Sequence, residues 1–137
     1  MNNYKRTLDL FCGCGGMSLG FINAGYDLVG AIDNWEPAIE VYNANFSHEV
    51  FNMDISNIEK VVKLIRSYNI ETIVAGPPCQ DFSHAGKREE GHRANLTIIF
   101  ANIIKKIKPT WFIMENVDRI LRSKSYNEAR ELGFSWR

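Results

Sequence analysis

Short apolar runs alternate with amphipathic helical patterns along most of this 137-residue chain, and that alternation restricts the fold more than any other feature. TLDLF (7–11), DLVGAI (27–32), TIVAG (72–76) and WFIM (111–114) have strand length, and HEVFNMDI (48–55) supplies one more short strand. Their near-continuous apolarity predicts strands covered on both faces. Between them, Trp35, Ile39, Tyr42 and Phe46 form one stripe over residues 35–46. Ile58, Val61, Val62 and Ile65 do the same over 57–66, with Ser56 and Glu59 spaced as a capping box. Leu96, Ile99, Phe100, Ile103 and Ile107 repeat the pattern over 94–107. Such alternation predicts an α/β fold, a parallel sheet with helices on both faces. After WFIM the pattern stops. Residues 115–137 hold at most one short helix and a polar tail from 123, no sixth strand is predicted, and WFIM is expected at a bare sheet edge.

A chain of this length has the size of one domain, and 45% apolar residues are enough to fill one core. Its 16 basic and 16 acidic residues leave no global field to draw it to nucleic acid or an anionic membrane, so any polyanion contact must be local. Three cysteines, an odd number in a sequence with no signal peptide, argue against a disulfide scaffold. No run is long and apolar enough to span a bilayer. The expectation is a cytoplasmic protein, without a membrane partner, whose thiols are free for chemistry.

The candidate site follows the strand ends. DLFCGCGGMSLGF (9–21) places Gly13, Gly15 and Gly16 between a strand and a helix, where the backbone can turn tightly and approach a ligand. No Gly-Lys-Ser/Thr follows, so this is not a phosphate-cradling loop, and it is not a clean dinucleotide fingerprint either. Asp33 ends the next strand, about twenty residues on, where related folds place a carboxylate for ribose hydroxyls. Asp54 follows the third strand and could accept a bond from an exocyclic amine. Each acid alone reads equally as a helix cap, but three such strand ends on one rim make a joint case. Cys12 and Cys14 supply only two metal ligands with no nearby pair to complete a site, so no metal is expected and both are read as small residues packed in the turn.

GPPCQDFS (76–83) comes directly after the fourth strand. Pro77 and Pro78 fix the backbone just ahead of Cys79, which suits a held nucleophile, although a buried structural thiol fits the same turn. Glu115, directly after WFIM, is a carboxyl group at the mouth of an apolar strand, placed to hold or exchange a proton or to cap the next helix. Together a thiolate, a neighbouring acid and a nucleoside-binding rim suit one chemistry. Thiolate addition at C6 of cytosine, with a proton or hydrogen bond at N3, makes C5 an enamine carbon able to attack a sulfonium methyl. The base must leave the duplex stack to reach the sulfur.

These motifs resemble, in order and spacing, those of the DNA (cytosine-5) methyltransferase family over residues 7 to about 122. The resemblance implies a Rossmann-like parallel sheet of a class I S-adenosylmethionine-dependent methyltransferase, stopping after about five strands, with 1–122 as the cofactor-binding and nucleophile part. DLFCGCGG looks like the first cofactor motif, with Phe11 against the adenine and Cys12, Gly13, Gly15, Gly16 and Met17 around the cofactor. Asp33 matches the ribose-binding acid. Asn34 stands where a bulky residue usually stacks, so Trp35 is a candidate for that role. Asp54 and Ile55 match the pair that holds the adenine, and Pro77 and Leu96 complete the cofactor set. GPPCQDFS resembles the nucleophile motif, making Cys79 catalytic with Gln80 and Ser83 near nucleic acid. ENV resembles the motif that carries the N3-binding carboxyl at Glu115, with Asn116 beside it as a further residue expected at the nucleic acid. GKREEGHRANL looks like the segment that folds over the base, where Lys87 and Arg93, with His84, Arg88 and His92, would neutralise phosphates.

The resemblance therefore implies methyl transfer from S-adenosylmethionine to C5 of cytosine in double-stranded DNA, in a restriction–modification setting. The arginine-bearing motif, the target-recognition region and the late motifs of the family are not found in these residues. Activity is expected together with a second polypeptide or a C-terminal half that supplies them. An RNA-directed enzyme acting on transfer RNA, a non-catalytic cofactor-binding domain and an inactive truncated remnant are the other readings these residues leave open.

Overall fold

The computed structural model describes residues 6–78 and 95–131. Five strands form one sheet: β1 (Arg6–Leu10), β2 (Asp27–Asp33), β3 (Glu49–Asn52), β4 (Thr72–Ala75) and β5 (Trp111–Met114). Their order is β3-β2-β1-β4-β5, and every neighbouring pair is parallel. β1 and β4 are inner strands buried on both faces; β4 is almost wholly apolar, while β1 alternates, with Leu8 and Leu10 on one face and the buried polar Thr7 and Asp9 on the other. Leaving β1 the chain crosses outward to β2 and β3, then returns past β1 to β4. The order therefore reverses beside β1, and open sheets of this kind bind ligands where it does.

The helices are α1 (Gly16–Asn23), α2 (Glu36–Asn45), α3 (Ile58–Ser67), α4 (Asn95–Ile107) and α5 (Lys124–Glu131), with a 3-10 turn at Asp118–Arg122. On one face Leu8, Leu10 and Ile73 of the sheet meet Val61 and Ile65 of α3 and Phe100 and Ile103 of α4. On the other, Cys12, Ala31 and Tyr42 of α2 form a smaller cluster with Phe46 and Val50. Both faces carry helices, as the alternation predicts.

Three details differ from expectation. Asn57, not Ser56, caps α3, its side chain accepting from the Lys60 N–H at 3.3 Å. Ser56 is held by Asp54, whose Oδ1 accepts from both its N–H and its hydroxyl. Trp35 leaves the α2 stripe: it precedes the helix and is 64% exposed. Where a polar tail was expected from 123, α5 forms instead and buries Tyr126 and Ala129. β5 lies at a sheet edge among the described residues, with Trp111 58% and Ile113 44% exposed, as expected of WFIM.

Candidate active site

The segments leaving β1, β2, β3 and β4 converge on one cleft of about 640 Å³. Phe11 enters it from β1, Asp33, Asn34 and Trp35 from β2, and Met53, Asp54 and Ile55 from β3. Gly76 and Pro78 enter from β4, and Leu96 from the start of α4. All lie at the carboxyl ends of parallel strands, because each strand hands its chain to a helix at that end. Phe11 is held at φ 61, a left-handed conformation that costs a non-glycine residue about 1 kcal/mol or more and is found mostly where a side chain must be aimed.

Asp33 organises the rim. Its Oδ2 accepts the Gly13 N–H at 2.8 Å, and its Oδ1 accepts the N–H groups of Asn34 and Trp35 at 2.8 and 2.9 Å. A carboxylate offers roughly four acceptor directions, so one is left for a ligand hydroxyl. The acid therefore works both as a cap for the turn into α2 and as a wall of the cleft. Gly15 is also fixed by packing: at φ 93, an added Cβ would overlap the Phe46 ring and press on Tyr42 at 3.1 Å.

The expected acid reaches the same rim. The Glu115 N–H bonds to the Ala75 carbonyl at 2.9 Å. Its Oε2 lies 3.9 Å, and the Met17 methyl 3.8 Å, from where a Cβ on Gly76 would sit. Asn116 donates to the Pro77 carbonyl at 3.0 Å and accepts the Val117 N–H at 2.9 Å, tying the ENV turn to the loop that leads to residue 79. Pro77 itself is buried, and Pro78 beside it lines the cleft. Cys79, Gln80, Ser83, Lys87 and Arg93, with His84, Arg88 and His92, lie outside the described residues. Of the two cysteines read as packed in the turn, Cys12 is buried against α2 and Cys14 is exposed, so only the first packs as predicted. Met53, Gly76 and Pro78 line the cleft without having been anticipated, although all three stand within two residues of one that was or of Cys79.

One buried feature had no signal in the sequence. Asp9, on β1, is 1% exposed, and Ser18 in the first turn of α1 donates to its Oδ2 at 2.6 Å. Ser18 meets the Tyr42 hydroxyl at 2.7 Å, and that hydroxyl meets His48 Nε2 at 2.6 Å. Asp9 Oδ1 has no partner among the described residues. Burial raises the Asp9 carboxyl from the ordinary 3.8 to about 7, opposed by hydrogen bonds from Ser18 and assisted by the charge of Asp33. Its contribution to stability is therefore complete below about pH 4 and is lost as pH rises through about 7. Asp9→Asn is expected to melt several degrees above the wild type at about pH 8 and to lose that advantage near pH 5, by thermal unfolding.

A family profile described as C-5 cytosine-specific DNA methylase matches residues 5–132. Type II methyltransferase M.HgiDI of Herpetosiphon aurantiacus is 54% identical over 125 residues, covering 90% of this chain and 40% of the relative. Type II methyltransferase M.HgiGI of the same organism is 53% identical over 125 residues, covering 90% of this chain and 99% of the relative. The chain thus spans less than half the length of one such relative and almost all of another. Among solved structures, S. pombe Dnmt2 methyltransferase superposes with a TM-score of 0.73 at 27% identity, over 93% of this chain and 39% of that one. In sheet order, in the placing of its motifs on one rim and in sequence, the chain belongs to the C-5 cytosine-specific DNA methylase family.

Proposed function

We propose that this chain is the cofactor-binding and nucleophile-bearing part of an enzyme that methylates C5 of cytosine in double-stranded DNA, through a covalent adduct at Cys79. The observation that carries the reading is the convergence of the ENV and GPP segments beside the cleft. Glu115 stands next to Gly76, and Asn116 holds the Pro77 carbonyl two residues before the cysteine.

The cleft suits a nucleoside. Its volume falls in the range of small-molecule sites, with Phe11, Ile55 and Leu96 as apolar surface and Asp33 and Asp54 as acceptors for hydroxyl and amino groups. When bound, S-adenosylmethionine supplies an electrophilic methyl on a sulfonium. This chain's residues prepare the base. The Cys79 thiolate adds to C6 of an extruded cytosine while Glu115 delivers a proton or hydrogen bond to N3, and the ring electrons move to C5. After methylation, loss of the C5 proton and expulsion of the thiolate restore the ring. Gln80, Ser83, Lys87 and Arg93 are proposed to contact the nucleic acid.

Residues 1–122 are proposed as this part of the catalytic domain, and the target-recognition region as a C-terminal part or second polypeptide. The exposed apolar side chains Trp111 and Ile113 on edge strand β5 support docking there. No helix among the described residues is long and apolar enough to cross a membrane, and a cytoplasmic restriction–modification role is proposed. Combining this chain with the C-terminal part of M.HgiDI tests the reading. Methyl transfer to cytosine in duplex DNA is expected; transfer confined to transfer RNA, or cofactor binding without transfer, would overturn it.

Asn116→Ala, assayed in the same reconstituted enzyme, is expected to lower kcat on the order of 10-fold by loosening the loop before Cys79. Cofactor affinity should hold, and Tm should fall by only a few degrees, the loss of about 1 kcal/mol of hydrogen bonding.

A further inference from the structure

A glycine-rich turn at a helix N-terminus ordinarily favours an anion, because free N–H groups and the helix dipole point outward. In this chain two carboxylates are set against that turn. Asp33 takes the Gly13 N–H, and Asp9 takes the Ser18 hydroxyl from beneath α1. The two acids repel each other, and one Asp9 oxygen is buried without a partner among the described residues. An asparagine would meet the same hydroxyl without a charge to desolvate. A buried acid that costs stability near neutral pH is a local violation of the kind found at functional positions.

Resting on the reading of the cleft as an S-adenosylmethionine site, we propose that Asp9 is a specificity-determining residue. With Asp33 it reverses the anion preference of the glycine-rich turn, so that the site favours the positively charged sulfonium cofactor over the neutral thioether left after methyl transfer. Asp9 is buried and is not among the described residues that line the cleft, so it is assigned to act through its field, which the buried surroundings screen little. It lies two residues before Phe11, which lines the cleft.

The surroundings leave Asp9 as the group that can make this preference vary with pH. From α2, Tyr42 is pushed up by burial and stays neutral, as does the Cys12 thiol of the turn. From α1 the facing group is Ser18, from β2 it is Asp33, and the β4 neighbour is Val74. His48, pushed down by burial, stands at the far end of the chain of hydroxyls.

The test is calorimetric titration of the full chain with S-adenosylmethionine and with S-adenosylhomocysteine, at about pH 6 and about pH 8.5. In the wild type the preference for the sulfonium ligand is expected to rise roughly 3- to 10-fold over that interval, and in Asp9→Asn to lose that rise. Titration of the ligands themselves is common to both proteins and cancels in the comparison. A purely structural role would weaken both ligands together and leave the ratio unchanged. If Asp9→Asn fails to fold, Ser18→Ala replaces it: removing a donor to the charged form should move the midpoint of the preference to higher pH. A ratio that changes in parallel in wild type and variant, an unmoved midpoint, or a profile abolished by His48→Gln would overturn the assignment. Failure of the wild type to bind either ligand at any pH is a different result and overturns the cofactor reading itself.

Discussion

Replacing Cys79 with serine is expected to reduce methyl transfer on the order of 10³-fold or more in the reconstituted enzyme, with cofactor affinity unchanged. A thiol yields a useful thiolate fraction near neutral pH, and its soft sulfur adds to the polarised C6 and leaves again with ease. A serine hydroxyl has a far higher pKa and no base is assigned to activate it. The substitution changes one atom of one side chain and leaves the described cleft lining, with Phe11, Asp33 and Asp54, unaltered. Loss of transfer with retained cofactor binding thus separates chemistry from folding. Equal loss of both would indicate a structural thiol.

Gly15→Ala is expected to have the largest effect on the fold itself, lowering stability by about 3 kcal/mol or more and taking cofactor binding with it. Two costs act together. At φ 93 an alanine is strained before any contact is considered, and its Cβ would occupy the space of the Phe46 ring. Phe46 packs against Tyr42 at a centroid distance of 4.4 Å, so it has little room to yield. The neighbouring Gly13 and Gly16 make the informative comparison, since a Cβ on either meets nothing within 4 Å among the described residues. Gly16→Ala, free of positive φ, is expected to be nearly neutral by chemical denaturation, and Gly13→Ala to show only the strain of its φ of 52.

The sheet was legible because its strands are short and mostly apolar, TIVA on both faces, and because helical stripes such as the run from Leu96 to Ile107 separate them. Trp35 was misread because helical spacing counts a residue one position before the helix as part of the stripe. Ser56 was misread as a cap because the competing partner, Asp54, lies two residues before it and captures its hydroxyl. The rim acids Asp33 and Glu115 were legible because they end strands. Asp9 was not, since TLDL alternates like a strand with one wet face, and its partners Ser18 and Tyr42 come from later helices. The structural work of Asn116 was equally hidden: its bond to Pro77 spans 39 residues and exists only once β4 and β5 pair.

The central claim is that the sulfur at position 79 attacks a cytosine held beside this cleft. It is tested most directly by incubating the reconstituted enzyme with S-adenosylmethionine and duplex DNA carrying 5-fluorocytosine at the target, where the C5 proton is replaced and the adduct cannot collapse. A denaturation-resistant protein–DNA complex, with the modified peptide containing Cys79, is the predicted result. Methylation of unmodified DNA by a preparation that never forms this complex, or an adduct mapped to another residue, would contradict it.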